Sequence, residues 1–207
     1  MLFFNTFLYP LIKKLKQEVI LISFFGIFAS ILSTILRLFL YWLSIFGAPI
    51  HEPEMFWIII PIWINWFFTE FFVEKHGTTL GNAVSNGAIP ILASIDWIRF
   101  TFRLISEGTV AFTMGVFMKL FLSIAVLAYG IFVIIAGIKL KRIVFYIGRI
   151  RWITYVLVMF TPVIYNVIDF DFKTFWVILL FFPVYWWVIE IFDRITPEPM
   201  LYQEEHS

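Results

Sequence analysis

Long, uninterrupted apolar stretches constrain this chain more than anything else in it. Five of them, at 19–47, 55–73, 109–137, 152–168 and 174–191, lie near or above the roughly 20 residues that carry a helix across a hydrocarbon core, the last two being the shortest. A chain of 207 residues has too little interior to hide this material from water, since 62% of it is hydrophobic and only 14% is charged. Lipid is therefore the solvent for most of it. That excludes soluble enzymes, disordered chains and nucleic-acid modules. The absence of cysteine excludes disulfides, iron–sulfur clusters and thiol chemistry. The net charge of +1 gives no general attraction to nucleic acid.

A sixth stretch, 79–105, is less apolar and could be read as a full span or as a re-entrant loop. Charge placement decides between them. Lys13, Lys14 and Lys16 place the N-terminal end in the cytoplasm, and Lys139, Lys141, Arg142, Arg149 and Arg151 place the segment 138–151 there too. An even number of crossings must lie between these clusters, so 79–105 is expected to cross. The expected architecture is all-α: a polytopic helical bundle of about six spans in the cell membrane, with both termini cytoplasmic. Residues 1–18 read as an interfacial amphipathic helix kinked at Pro10, residues 19–192 as the transmembrane domain, and residues 193–207 as a polar cytoplasmic tail. Tyr41, Trp42, Trp57, Trp152, Trp176, Trp186 and Trp187 lie near span ends and read as interfacial anchors.

Within the third span, Asn82, Ser85, Asn86, Ile89, Ala93, Asp96, Arg99 and Arg103 recur every three or four residues and share one face. A largely polar stripe of this kind does not face lipid; it lines water or packs against partners. Counting helical rise from the span ends puts Arg37, Asp96 and Arg99 in the outer third and Lys119 near the middle. Three cations around one carboxylate would favour an anion or a phosphate. Toward the inner side Glu70, Glu74, Asn82 and Asn86 form an expected polar vestibule, with Asn65 near the middle of the second span close by. The expected pathway or binding residues are thus Arg37, Asn65, Glu70, Asn82, Ser85, Asn86, Asp96, Arg99 and Lys119.

Signals of catalysis are weak. His51-Glu52-Pro53-Glu54 lacks the helical spacing of a metal pair, and Asn166, Asp169 and Asp171 are ordinary loop residues. No P-loop, nucleophile elbow or paired intramembrane aspartates occur. No metal or cofactor is implied. The basic segment, with Lys139, Lys141, Arg142, Arg149 and Arg151, suits an anionic lipid surface. The leading expectation is a pathway or binding site for an ion or small polar solute. The alternatives are an assembly subunit, with a homo-oligomer or another membrane protein as its partner, and, less favoured, a lipid-modifying enzyme.

Overall fold

The structure is a computed structural model that describes residues 9–74 and 77–196. The expectations for residues 2–8, Lys75, His76 and the tail beyond residue 196 lie outside the described residues. Every regular element among the described residues is helical: α1 (Tyr9–Gly47), α2 (Phe56–Phe68), α3 (Leu80–Ser106), α4 (Met114–Ile138), α5 (Val144–Ile147), α6 (Ile150–Ile164) and α7 (Phe172–Ile195). Short 3-10 turns at Ala48–Ile50 and Pro53–Met55 precede α2, and a π turn at Thr69–Val73 extends it. Four of the helical segments are long and apolar enough to cross a membrane: Phe24–Ile50, Pro53–Val73, Met114–Ile138 and Phe172–Ile195. The chain is therefore a helical membrane protein.

Two compact units make up the chain, Met1–Tyr41 and Trp42–Ser207. In the first, Phe24, Phe25, Ile27, Phe28, Ile31, Leu32, Ile35 and Leu36 are all exposed, as lipid-facing side chains must be.

The second unit is organised on an α3–α4 hairpin. Val84 faces Gly137, while Gly87 and Ile91 face Gly130, so the two helices run antiparallel. A Cβ built on Gly130 would stand 2.7 Å from Ile91 Cγ1 and 2.8 Å from the Gly87 carbonyl oxygen. Only glycine permits this approach. In lipid, where no hydrophobic force drives helices together, such close backbone contact supplies the packing energy. Ala83, Val133, Ala136 and Val144 close the end of this seam next to α5.

Helix α6 is buried nearly all round: twelve of its residues, from Ile150 to Ile164, are inaccessible. It meets α2, α3 and α7. Trp97 Nε1 donates to Thr161 Oγ1 at 3.1 Å, and Trp42 Nε1 donates to Tyr155 Oη at 3.0 Å. Trp42 is thus a buried packing residue rather than the interfacial anchor its position suggested, because its indole N–H finds a partner inside.

Candidate functional site

At one end of the second unit lie two adjoining features, a buried network of charges and an apolar groove. The network begins at the π turn. Glu74 N–H bonds to the Thr69 carbonyl at 2.7 Å, an i to i−5 bond that widens the last turn of the α2 segment. This brings both Glu70 and Glu74 inside, each with 0% exposure. The chain then reverses at Gly77, whose φ of 113° is a conformation that side-chain-bearing residues rarely adopt.

Each carboxylate has its own partners. Glu74 Oε1 accepts from Asn86 Nδ2 at 2.7 Å, and Glu74 Oε2 accepts from the Ile150 N–H at 3.2 Å. Glu74 therefore caps the N-terminus of α6, 76 residues away in sequence, where the helix dipole favours negative charge. Asn86 Nδ2 also donates to the Gly148 carbonyl at 2.9 Å and so ties α3 to the turn before α6. Burial pushes the Glu74 carboxyl above the usual range, while the Ile150 and Asn86 donors pull it back.

Glu70 belongs to Arg151. Arg151 Nε donates to Glu70 Oε1 at 2.8 Å, and Nη2 donates to the same oxygen. Arg151 Nη1 donates to Glu190 Oε2 at 3.2 Å, and Asp193 Oδ2 lies 3.9 Å from Nη2. The guanidinium is also 4.6 Å from the Trp186 ring centroid. Arg151 is 0% exposed. Burying an ion costs several kcal/mol even after relaxation, and only a shell of carboxylates this close offsets it.

The groove opens beside this network. It has a volume of about 970 Å³, at the upper end of the ~300–1,000 Å³ usual for ligand pockets. Gly77, Thr78, Tyr146 and Arg149 stand at its inner end, while Pro90, Ala125, Val126 and Leu157 form its deep end. Leu157 is two turns along α6 from Arg149, so the groove reaches roughly 12 Å toward the middle of the bundle. Trp152 and Trp186 form one wall, with Trp152 stacked on Phe182 at 4.4 Å. Tyr129 also lines the groove and donates its hydroxyl to the Ile147 carbonyl. Its lining is apolar apart from the groups at the inner end. Arg149 is placed there by contacts on one side only: its guanidinium is 5.2 Å from the Trp186 centroid, and Nη2 is 3.9 Å from Glu70 Oε1. Its Nε is buried and has no hydrogen-bond partner.

The residues of the expected stripe do not stay together. Asn86 joins the inner network. Asp96 belongs to an outer one, accepting from Arg99 Nη2 at 2.7 Å and from Tyr165 Oη at 2.6 Å, with Tyr165 stacked on Phe100. Between them the same face carries Ile89 and the buried Ala93. Asn82 is half-buried and Ser85 exposed, and neither side chain enters the inner network. Lys119 donates to Asn166 rather than to Asp96. Arg37 lies in the first unit, where its Nη2 donates to Thr34 Oγ1 at 3.3 Å. Asn65 is half-buried one turn before the π turn, with its Nδ2 unpartnered.

Among the basic residues expected at a lipid surface, Lys139, Lys141 and Arg142 are exposed and Arg149 is partly exposed. Arg151 requires correction: it faces inward, because Glu70, Glu190 and Asp193 need a counter-charge there. Asp193, expected to begin the tail, is in α7 and buried. The signal for this network was in the sequence. Glu70 is a carboxylate inside an apolar stretch, 55–73, that carries no cation of its own, so its counter-charge had to come from elsewhere. Among the described residues no cluster of histidine, aspartate or glutamate is arranged to hold a metal. Comparison with protein-family models, with curated proteins and with solved structures finds no match.

Proposed function

We propose that this protein binds a membrane amphiphile, with the apolar chain lodged in the groove and the head at its inner end. The observation that carries the reading is the groove itself: an apolar slot of about 970 Å³ with an arginine at one end. A small polar ion would leave that lining unused, whereas an acyl or isoprenoid chain matches it. The ligand thus shifts from the polar solute that the third-span stripe suggested to a lipid-like molecule. No catalytic step is assigned to the site.

The proposal places the protein in the cell membrane with six crossings. Four are the long apolar helices, a fifth is α3 and a sixth is α6. Support for α3 comes from its antiparallel packing along α4. Support for α6 comes from its apolar composition, although it has only 15 residues. Both ends of the chain then lie on the cytoplasmic side, with Lys139, Lys141 and Arg142, and the mouth of the groove opens at the inner leaflet.

Filling the groove tests the reading. Ala125→Trp and Val156→Trp each place an indole in it, whereas Leu179→Trp adds one to an exposed face. After detergent exchange, native mass spectrometry should find one lipid-sized adduct on the wild type and on Leu179→Trp, and none on the two groove variants, all four melting alike. Adducts that survive both groove substitutions would remove the proposal. Flux of an ion or polar solute through proteoliposomes, with no adduct on the wild type, would restore the pathway reading.

A further inference from the structure

We infer that the amphiphile in the groove is an anionic phospholipid of the inner leaflet and that Arg149 receives its phosphate; this rests on the groove being a lipid site. Among the described residues, Arg149 is the one cation lining the groove. Its side chain is 26% exposed, and among the described residues no acceptor lies within hydrogen-bond reach of its guanidinium. A partly desolvated guanidinium without an acceptor is a costly arrangement, and a phosphate oxygen at its exposed nitrogens would satisfy it.

The neighbouring acids do not take that role. Glu70 is the nearest, but the Oε1 facing Arg149 already accepts two hydrogen bonds from Arg151, and Arg149 Nη2 stays at 3.9 Å, beyond hydrogen-bond reach. Glu74 is fully buried and held by Asn86 and the Ile150 N–H. Arg151 thus absorbs Glu70 and leaves Arg149 for a ligand. The surroundings match the same charge. Lys139, Lys141 and Arg142 are exposed at this end of α4 and would hold the mouth against an anionic surface.

The experiment uses the full-length protein in nanodiscs containing equal amounts of phosphatidylglycerol, phosphatidylcholine and diacylglycerol, followed by release and native mass spectrometry. The wild type should retain one lipid per chain, with phosphatidylglycerol favoured over diacylglycerol about tenfold, the discrimination that one charge-assisted contact provides. Arg149→Gln should still retain one lipid but lose the preference. Arg142→Gln, which alters only the exposed surface charge, should keep it. A preference that survives Arg149→Gln, or one abolished by Arg142→Gln alone, overturns the assignment to Arg149. A wild type that retains lipid without preference overturns the anionic head group. A wild type that retains no lipid overturns the groove reading beneath both. Melting curves of the two variants that coincide with wild type show that the comparison reports binding.

Discussion

At the scale of single residues, Arg151 is the most consequential side chain in the second unit. Removing its charge while leaving its bulk, as in Arg151→Met, strands Glu70 in the interior. The expected cost is about 3–5 kcal/mol, the usual consequence of breaking a buried ion pair from one side. Adding Glu70→Gln to that variant should recover at least half of the loss, as read by thermal unfolding in detergent. A double variant no more stable than the single one would show that Glu70 is not its main partner. Glu74 makes a separate prediction. Its raised carboxyl means that the folded state binds the proton more tightly than the unfolded state. Its contribution to stability is therefore greatest on the acid side and falls as pH rises from the ordinary carboxylate range, about 4.3, through the raised value. Whatever the absolute cost of Glu74→Gln, the decline in melting temperature with rising pH should become shallower in that variant; an unchanged slope would assign the titration elsewhere. In the sequence Glu70 was legible as a charge at membrane depth and Glu74 as a polar group at the end of that span. Which arginine answered them was not, because Arg149 and Arg151 differ by two positions and only the entry angle of α6 decides which one turns inward.

At the scale of elements, the α3–α4 seam and the helix ends set the geometry that positions the groove. Gly130→Ala would press a methyl group against Ile91 and against the Gly87 backbone, which has no rotamer with which to yield. Overpacking of this kind costs about 1–3 kcal/mol. Gly26→Ala meets nothing within 4 Å and should be neutral or slightly stabilising, so parallel melts of the two variants separate packing from propensity. The start of α7 is capped by Asp171, whose carboxylate accepts the Thr174 N–H at 2.6 Å and is held below its usual pKa chiefly by that bond. Asp171→Ala should cost about 1 kcal/mol at neutral pH. The gap from wild type should close as pH falls through and below the ordinary carboxylate range, where the depressed carboxylate gains its proton and the cap is lost in both proteins. Most boundaries were readable from hydropathy: 55–73 is observed as Pro53–Val73 and 174–191 as Phe172–Ile195. The start of α4 was misplaced at 109. Val110, Ala111 and Phe112 are apolar, but Gly108, with a φ of 71°, breaks the helical path and α4 begins at Met114. The π turn left no signature in the sequence, because the segment around it, Trp66 to Val73, is apolar on nearly every face and shows no phase for an extra residue to shift.

At the scale of the whole molecule, hydropathy and loop charge specified a membrane bundle but not the groove. Its walls come from residues spread between Gly77 and Trp186, most of them apolar and indistinguishable in sequence from a lipid-facing neighbour. The polar stripe of the third span drew the expected site toward Asp96, although the structure gives that carboxylate local partners in Arg99 and Tyr165. Six crossings with both ends cytoplasmic predict that cysteines replacing Glu54 and Asp171 react with an impermeant thiol reagent added outside, while one replacing Arg142 does not. Labelling of all three from outside would contradict the span count, and labelling of Arg142 alone would invert the orientation. The claim that the groove holds an oriented lipid is tested most directly by photo-crosslinking in membranes, using one phospholipid with a diazirine at the tail end and another with it near the head. The account predicts that the tail probe marks Pro90, Ala125 and Leu157 and the head probe marks Thr78, Tyr146 and Arg149, with both sets lost in Val156→Trp. Tail and head probes that mark only outward residues such as Phe132 and Leu179, unchanged in that variant, would contradict it.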